Sequence, residues 1–195
     1  MRLFVAIALP EEVKTALCSV QHELKEVLPP KAAAWTKPEN LHLTLRFLGQ
    51  VELGRVAELE GRLRYNLAGF GDLALICERL GCFPGPRFPR VVWTWMHDPG
   101  ERLALLHRRV QEAVADFAEK PGEDRFIGHV TLARPKQITR AEAERLARFI
   151  ESAGARRFGT WTCREVELIQ SELSPGGSRY TTLANIALSP HHGAE

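Results

Sequence analysis

Apolar positions along the chain switch between two periods. "RLFVAIA" over 2–8 is nearly unbroken apolar and reads as a buried strand. In "PEEVKTALCSVQHELKEVL", Val13, Leu17, Val20, Leu24 and Leu28 recur at helical spacing. Pro10 stands at the start of this helix, and Pro29-Pro30 stops it. "AAAWT" reads as a short strand and "ENLHLTLRFLG" as a stronger one. "ELGRVAELEGRLRYNLAGF" returns to the helical period. "DLALICERLGCF" and "RVVWTWM" are strands around the loop "PGPRFP", and "GERLALLHRRVQEAVADFAEK" is a helix ended by Pro121-Gly122. "FIGHVTLAR" is a strand, and "TRAEAERLARFIESAG" a helix with Thr139 as N-cap. The chain closes on two long strands, "TWTCREVELIQSEL" and "YTTLANIAL", joined by the turn "SPGGSR". Strands separated by single helices and by hairpin-like links predict an α+β fold with antiparallel or mixed sheets. No Gly-rich phosphate loop follows a strand, so neither a Rossmann nor a P-loop reading fits.

The two halves echo one another, and each contains His-x-Thr-Leu in a strand: His42, Leu43, Thr44, Leu45, and His129, Val130, Thr131, Leu132. Alternate strand residues share a face. His42, Thr44 and Arg46 are therefore expected on one side, with Leu43, Leu45 and Phe47 on the core side. His129 and Thr131 share a face likewise. Arg134, five residues after His129, is off that parity and joins it only if the strand ends or bends before Pro135. From 7 His and the Thr and Leu content, about 0.05 His-x-Thr-Leu matches are expected by composition, so a pair is not a chance event.

Composition narrows the setting. At 195 residues, with 45% hydrophobic and 26% charged, the chain suits one domain or two lobes sharing a core. No run approaches a membrane span, and the apolar start continues into "EEVK" without a signal-cleavage site. Cys18, Cys77, Cys82 and Cys163 have no metal-site or disulfide spacing and fit a reducing cytoplasm. A net charge of +2 is too small for a nucleic-acid-coating protein, though it permits a local basic cleft.

Two histidines flanking a phosphorus centre can perform metal-free phosphodiester chemistry. A neutral imidazole takes a proton from attacking water, and a protonated one supplies the departing oxygen. Threonine hydroxyls and arginines can hold the non-bridging oxygens. Three rivals stand beside this reading. A metal hydrolase needs three convergent ligands, and neither motif carries an acidic partner. An RNA-end-binding module without catalysis would use a basic, aromatic sheet and would leave the histidines dispensable. Ligation is the reverse of the same acid–base chemistry and is expected as a side activity.

On "RLFVAIALP", "HLTLRFLG", "FPGPRFPRVVW", "HVTLARPK" and "SELSPGGSRYTTL", the sequence resembles the two-histidine phosphoesterase superfamily. Within it, the chain is similar to the RNA 2',3'-cyclic phosphodiesterases, long labelled 2'-5' RNA ligases. The resemblance implies a bilobal, pseudo-two-fold α+β fold, with two antiparallel-rich sheets, helices outside and a central cleft. Residues 1–195 would form one two-lobed phosphodiesterase domain. It also implies hydrolysis of a terminal 2',3'-cyclic phosphate to a 2'-phosphomonoester, with no metal and no cofactor. His42 matches the proton donor to the 3'-oxygen, His129 the base, and Thr44 and Thr131 the phosphate holders. Arg46, Arg134 and Tyr180 are candidate substrate-binding residues, Tyr180 by stacking on a base or capping the cleft. The expected partner is RNA with a cyclic phosphate end, or a small cyclic nucleotide, with no membrane and no obligate protein partner, the chain acting as a monomer. Arg87 and Arg90 read as loop residues and His22 and His107 as surface residues. No role is assigned to His97, His191 or His192. The four tryptophans Trp35, Trp93, Trp95 and Trp161 are assigned to core or sheet surface.

Overall fold

The computed structural model describes residues 1–122, 125–175 and 177–188; His191 and His192 lie outside them. Nine strands and four helices run in the order β1 (Arg2–Ala8), α1 (Glu11–Val27), β2 (Ala33–Trp35), β3 (His42–Gln50), α2 (Val56–Leu67), β4 (Leu73–Phe83), β5 (Val91–His97), α3 (Leu103–Ala113), β6 (His129–Pro135), α4 (Arg140–Ser152), β7 (Arg157–Cys163), β8 (Glu165–Ser174) and β9 (Gly177–Ala187). Two antiparallel sheets result, one ordered β3-β1-β8-β9 and the other β2-β6-β5-β4-β7. The fold is the expected bilobal α+β arrangement. Each sheet holds one His-x-Thr-Leu strand, β3 or β6.

Strand β1 is apolar throughout because both its faces are covered. Leu3, Val5 and Ile7 join the main core, while Phe4 and Ala6 form a smaller cluster with Ile169 on the opposite face, against which Tyr180 packs. Helices α2 and α3 pack on β9 and β3 of the four-stranded sheet. Helices α1 and α4 back the five-stranded sheet through β6, β7 and β4. Helix α1 therefore leaves one lobe and serves the other, which ties the halves into a shared core. Helix α4 begins with the capping box its sequence announces: the Thr139 hydroxyl accepts from the Glu142 amide, and Glu142 accepts from the Thr139 amide at 2.6 Å. Strands β3 and β6 lie against each other, with Cα atoms within 8 Å. Leu43, Leu45, Val130 and Leu132 sink into the common core, which leaves the polar faces of both strands to the cleft side.

The structure corrects two boundaries. "TWTCREVELIQSEL" is not one strand: it breaks at Arg164, so that β7 closes the five-stranded sheet and β8 enters the other. An uninterrupted alternating pattern cannot reveal such a transfer between sheets. The helix expected from residue 100 to 120 is shorter, running from Leu103 to Ala113 and then tightening into a 3-10 turn.

Candidate active site

Each motif strand carries a β-bulge just after its threonine. In β3, Thr44 pairs with Ala6 and Arg46 with Val5, which leaves Leu45 without an opposite residue. In β6, Thr131 pairs with Trp93 and Ala133 with Val92, which leaves Leu132 without one. A bulge sets two residues against one and shifts the alternation beyond it. Residue five after each histidine, Phe47 or Arg134, is thereby turned onto the His/Thr face.

This overturns the strict-alternation expectation for two residues. Arg46 does not share the face of His42: it stands opposite buried Val5, and its guanidinium donates to the Lys120 carbonyl. Phe47 is not core: it is 62% exposed, on the face of His42. Arg134 gains the bend it needed and is exposed beside Ala34 of β2. The β6 bulge is pinned from outside the strand. The Leu132 carbonyl accepts from the Thr36 amide at 3.0 Å and from the buried Gln21 side chain of α1 at 2.8 Å.

Both histidines are anchored in the same way. His42 Nδ1–H donates to the Asn40 carbonyl at 2.7 Å, and His129 Nδ1–H to the Ile127 carbonyl at 2.8 Å. A carbonyl only accepts, so in each neutral ring Nε2 is the free lone pair. In the first motif that lone pair accepts from the Thr44 hydroxyl at 2.9 Å. Asn40 is itself held, its side chain donating to the Ser178 carbonyl of β9. Each ring is also walled by two aromatic residues. Phe4 and Tyr180 lie 4.9 and 5.3 Å from His42, and Phe83 and Trp93 lie 5.2 and 6.2 Å from His129, measured between centroids. Phe83 and Trp93 stack on each other at 4.8 Å.

The walls have an electrostatic consequence. Burial pushes the His42 imidazole down to about 4, only partly opposed by the Asn40 carbonyl. In the free protein at neutral pH, His42 is therefore neutral. An anion placed against Nε2 opposes the desolvation and draws a proton onto the ring. Beside His42 opens a cavity of ≈ 200 Å³, lined also by Tyr180, Thr182, Lys14 and Glu167. Among the described residues, no three His, Cys, Asp or Glu side chains converge as a metal site.

The remaining candidates are scattered. Thr131 is half-buried across from Trp93. Arg87 and Arg90 are exposed in the β4–β5 loop, as expected. His22 is exposed, but His107 is not a surface residue: it is 6% exposed and stacks on Phe126 at 4.1 Å. His97 stacks on Trp95 and contacts Glu78. Sequence reasoning missed Phe4, Phe83 and Trp93 as histidine walls, because nothing in a strand's own alternation names its cross-strand neighbour. It also missed Asn40 and Gln21, which act through backbone carbonyls of no particular sequence.

Comparison with known proteins agrees with this geometry. The model of the LigT like Phosphoesterase family matches residues 7–93 and again 95–180, so that each match holds one His-x-Thr-Leu motif. The RNA 2',3'-cyclic phosphodiesterase of Thermus thermophilus is 36% identical over 210 residues, covering 100% of this chain and 94% of that protein. The protein of the same name from Archaeoglobus fulgidus is 33% identical over 183 residues, covering 94% and 98%. A crystal structure of a Thermus thermophilus protein superposes with a TM-score of 0.79 at 28% identity, covering 98% of this chain and 100% of that one. E. coli LigT complexed with 3'-AMP superposes with a TM-score of 0.74 at 26% identity, covering 96% and 97%. With two sheets, one anchored histidine in each, and a family match repeated over both halves, the chain belongs to the LigT-like phosphoesterases.

Proposed function

We propose that this phosphoesterase opens the 2',3'-cyclic phosphate at an RNA end to a 2'-phosphomonoester, using His42 and His129 as an acid–base pair. The observation that carries the reading is the matched anchoring of the two imidazoles: Nδ1 of each is bound to a carbonyl two residues back, which leaves Nε2 available. The names of the relatives supply the substrate class. His129 Nε2 takes a proton from water as the water oxygen bonds to phosphorus. The P–O3' bond breaks on the opposite side, and His42 gives its Nε2 proton to O3'. Because free His42 is neutral, it takes up a proton from solvent as the anionic substrate binds, and that proton is the one passed to O3'. Thr44 and Thr131 donate to the non-bridging oxygens, and Arg134, on the His129 face, neutralises their charge. Arg46 is engaged by Lys120 and takes no part in this scheme. Tyr180 closes the His42 side of the nucleoside.

The reverse reaction, with a 5'-hydroxyl in place of water, gives a 2'-5' bond, and water at its ordinary concentration keeps it a side activity. On the same reading, residues 1–195 work as one two-lobed unit, a monomer in the cytoplasm, with four free thiols and no cofactor. No helix among the described residues is long and apolar enough to cross a membrane.

Incubation with a 2',3'-cyclic nucleotide in excess EDTA tests the reading. The expected product is the 2'-monophosphate, formed at the rate seen without chelator. Turnover that EDTA abolishes and zinc or manganese restores would point to a metal hydrolase. Binding without turnover would leave an RNA-end-binding module.

A further inference from the structure

Strand β3 exposes an aromatic ring that packing does not require. Five large apolar side chains are exposed among the described residues: Phe47, Leu53, Tyr65, Phe88 and Leu173. Leu53 and Tyr65 belong to α2 and its approach, Phe88 to the β4–β5 loop, and Leu173 to the β8–β9 hairpin. Phe47 is the aromatic among them on the motif strand itself, on the face of His42 and Thr44, and it reaches that face only through the bulge at Leu45. Its ring lies 5.6 Å from Phe4, which lies 4.9 Å from His42. Tyr180 stands 5.0 Å from Phe4 and 5.3 Å from His42. The rings thus continue outward from the reacting position and end on an open face.

We propose that Phe47 is a stacking platform for the nucleobase preceding the terminal nucleotide, so that the site favours an RNA chain end over a cyclic mononucleotide. This deepens the proposed function and rests on it. His42 serves the ribose oxygen, which puts the terminal nucleoside on the β3 side, against Tyr180 and Phe4. Phe47 is one ring further from the phosphorus and meets the next base along the chain. A base stacks on an aromatic face whatever its identity, so the preference is for length rather than sequence.

The test compares kcat/KM on a short oligoribonucleotide ending in a 2',3'-cyclic phosphate with that on the corresponding cyclic mononucleotide. Phe47→Ala is expected to lower the oligonucleotide-to-mononucleotide ratio by about 5- to 150-fold, the equivalent of one stacked base, with the change in the oligonucleotide's KM. Phe47→Leu, which keeps apolar contact with Phe4 but offers no ring, lowers the ratio likewise. Phe47→Trp preserves it. Tyr65→Ala, which removes a still more exposed aromatic on α2, leaves it where it is. An unchanged ratio in Phe47→Ala, or an equal loss on both substrates, overturns the proposal. Failure of the parent protein to turn over either substrate overturns the proposed function beneath it, so the two failures are distinguishable.

Discussion

His129→Ala is expected to slow turnover of a 2',3'-cyclic nucleotide by about 10²- to 10⁴-fold, the range that positioned proton transfer supplies. His42→Ala should cost a comparable amount. Each ring is held through Nδ1 on a strand whose backbone is fixed independently by sheet pairing, so removal of the imidazole leaves the strand in place. The two losses should not add. Water attack and O3' departure belong to one displacement, and a site lacking one proton carrier gains little from the other. The double variant should therefore sit close to the slower single variant. His22→Ala, on the exposed face of α1, is the control that retains full rate. Steady-state kinetics with circular dichroism on each variant checks all four expectations. Either single variant turning over within about twofold of the parent would remove the acid–base pair from the account.

Gly81→Ala is the second large effect. Gly81 of β4 lies directly across from Trp93 of β5, and a Cβ added there would overlap the six-membered ring of the indole at Cζ2 and Cη2. The ring cannot tilt freely, since Phe83 is stacked on it at 4.8 Å, and together they wall His129. Overpacking of this kind costs about 1–3 kcal/mol. Because the displaced ring borders the His129 imidazole, activity should fall with stability. Denaturant midpoints and kcat for Gly81→Ala, and for Gly81→Ala combined with Trp93→Leu, provide the measurement. The second substitution makes room for the new methyl and should recover stability while leaving activity impaired. A Gly81→Ala protein as stable and as active as the parent would mean that the wall is not needed to set His129.

Much of this was legible in the sequence. The order of strands and helices follows from period, and the doubled motif points to the two histidines that the sheets anchor alike. The failures share a physical origin. Strict alternation placed Arg46 toward the site and Phe47 in the core, and one extra residue, Leu45, reversed both. The same device at Leu132 brought Arg134 to the face its numbering denied it. A bulge costs ladder hydrogen bonds that must be made elsewhere. Around Leu132 the replacement comes from Gln21 and Thr36, more than ninety residues earlier, a distance no local pattern spans. His107 was misplaced for a related reason. A polar residue on a charged helix reads as surface until Phe126, from a separate segment, covers it.

The most direct measurement follows both imidazoles by NMR while a 2'-mononucleotide product is titrated into histidine-labelled protein. In the free protein burial holds the His42 imidazole down to about 4, so the ring is neutral at neutral pH. A phosphate beside Nε2 stabilises the imidazolium, so the midpoint of His42 must move upward on binding. The His42 and His129 signals should shift together, with a single dissociation constant, and the His42 midpoint should rise. A ligand that moves only one of the two rings, or that leaves His42 titrating near 4 at saturation, would contradict a phosphate held between them.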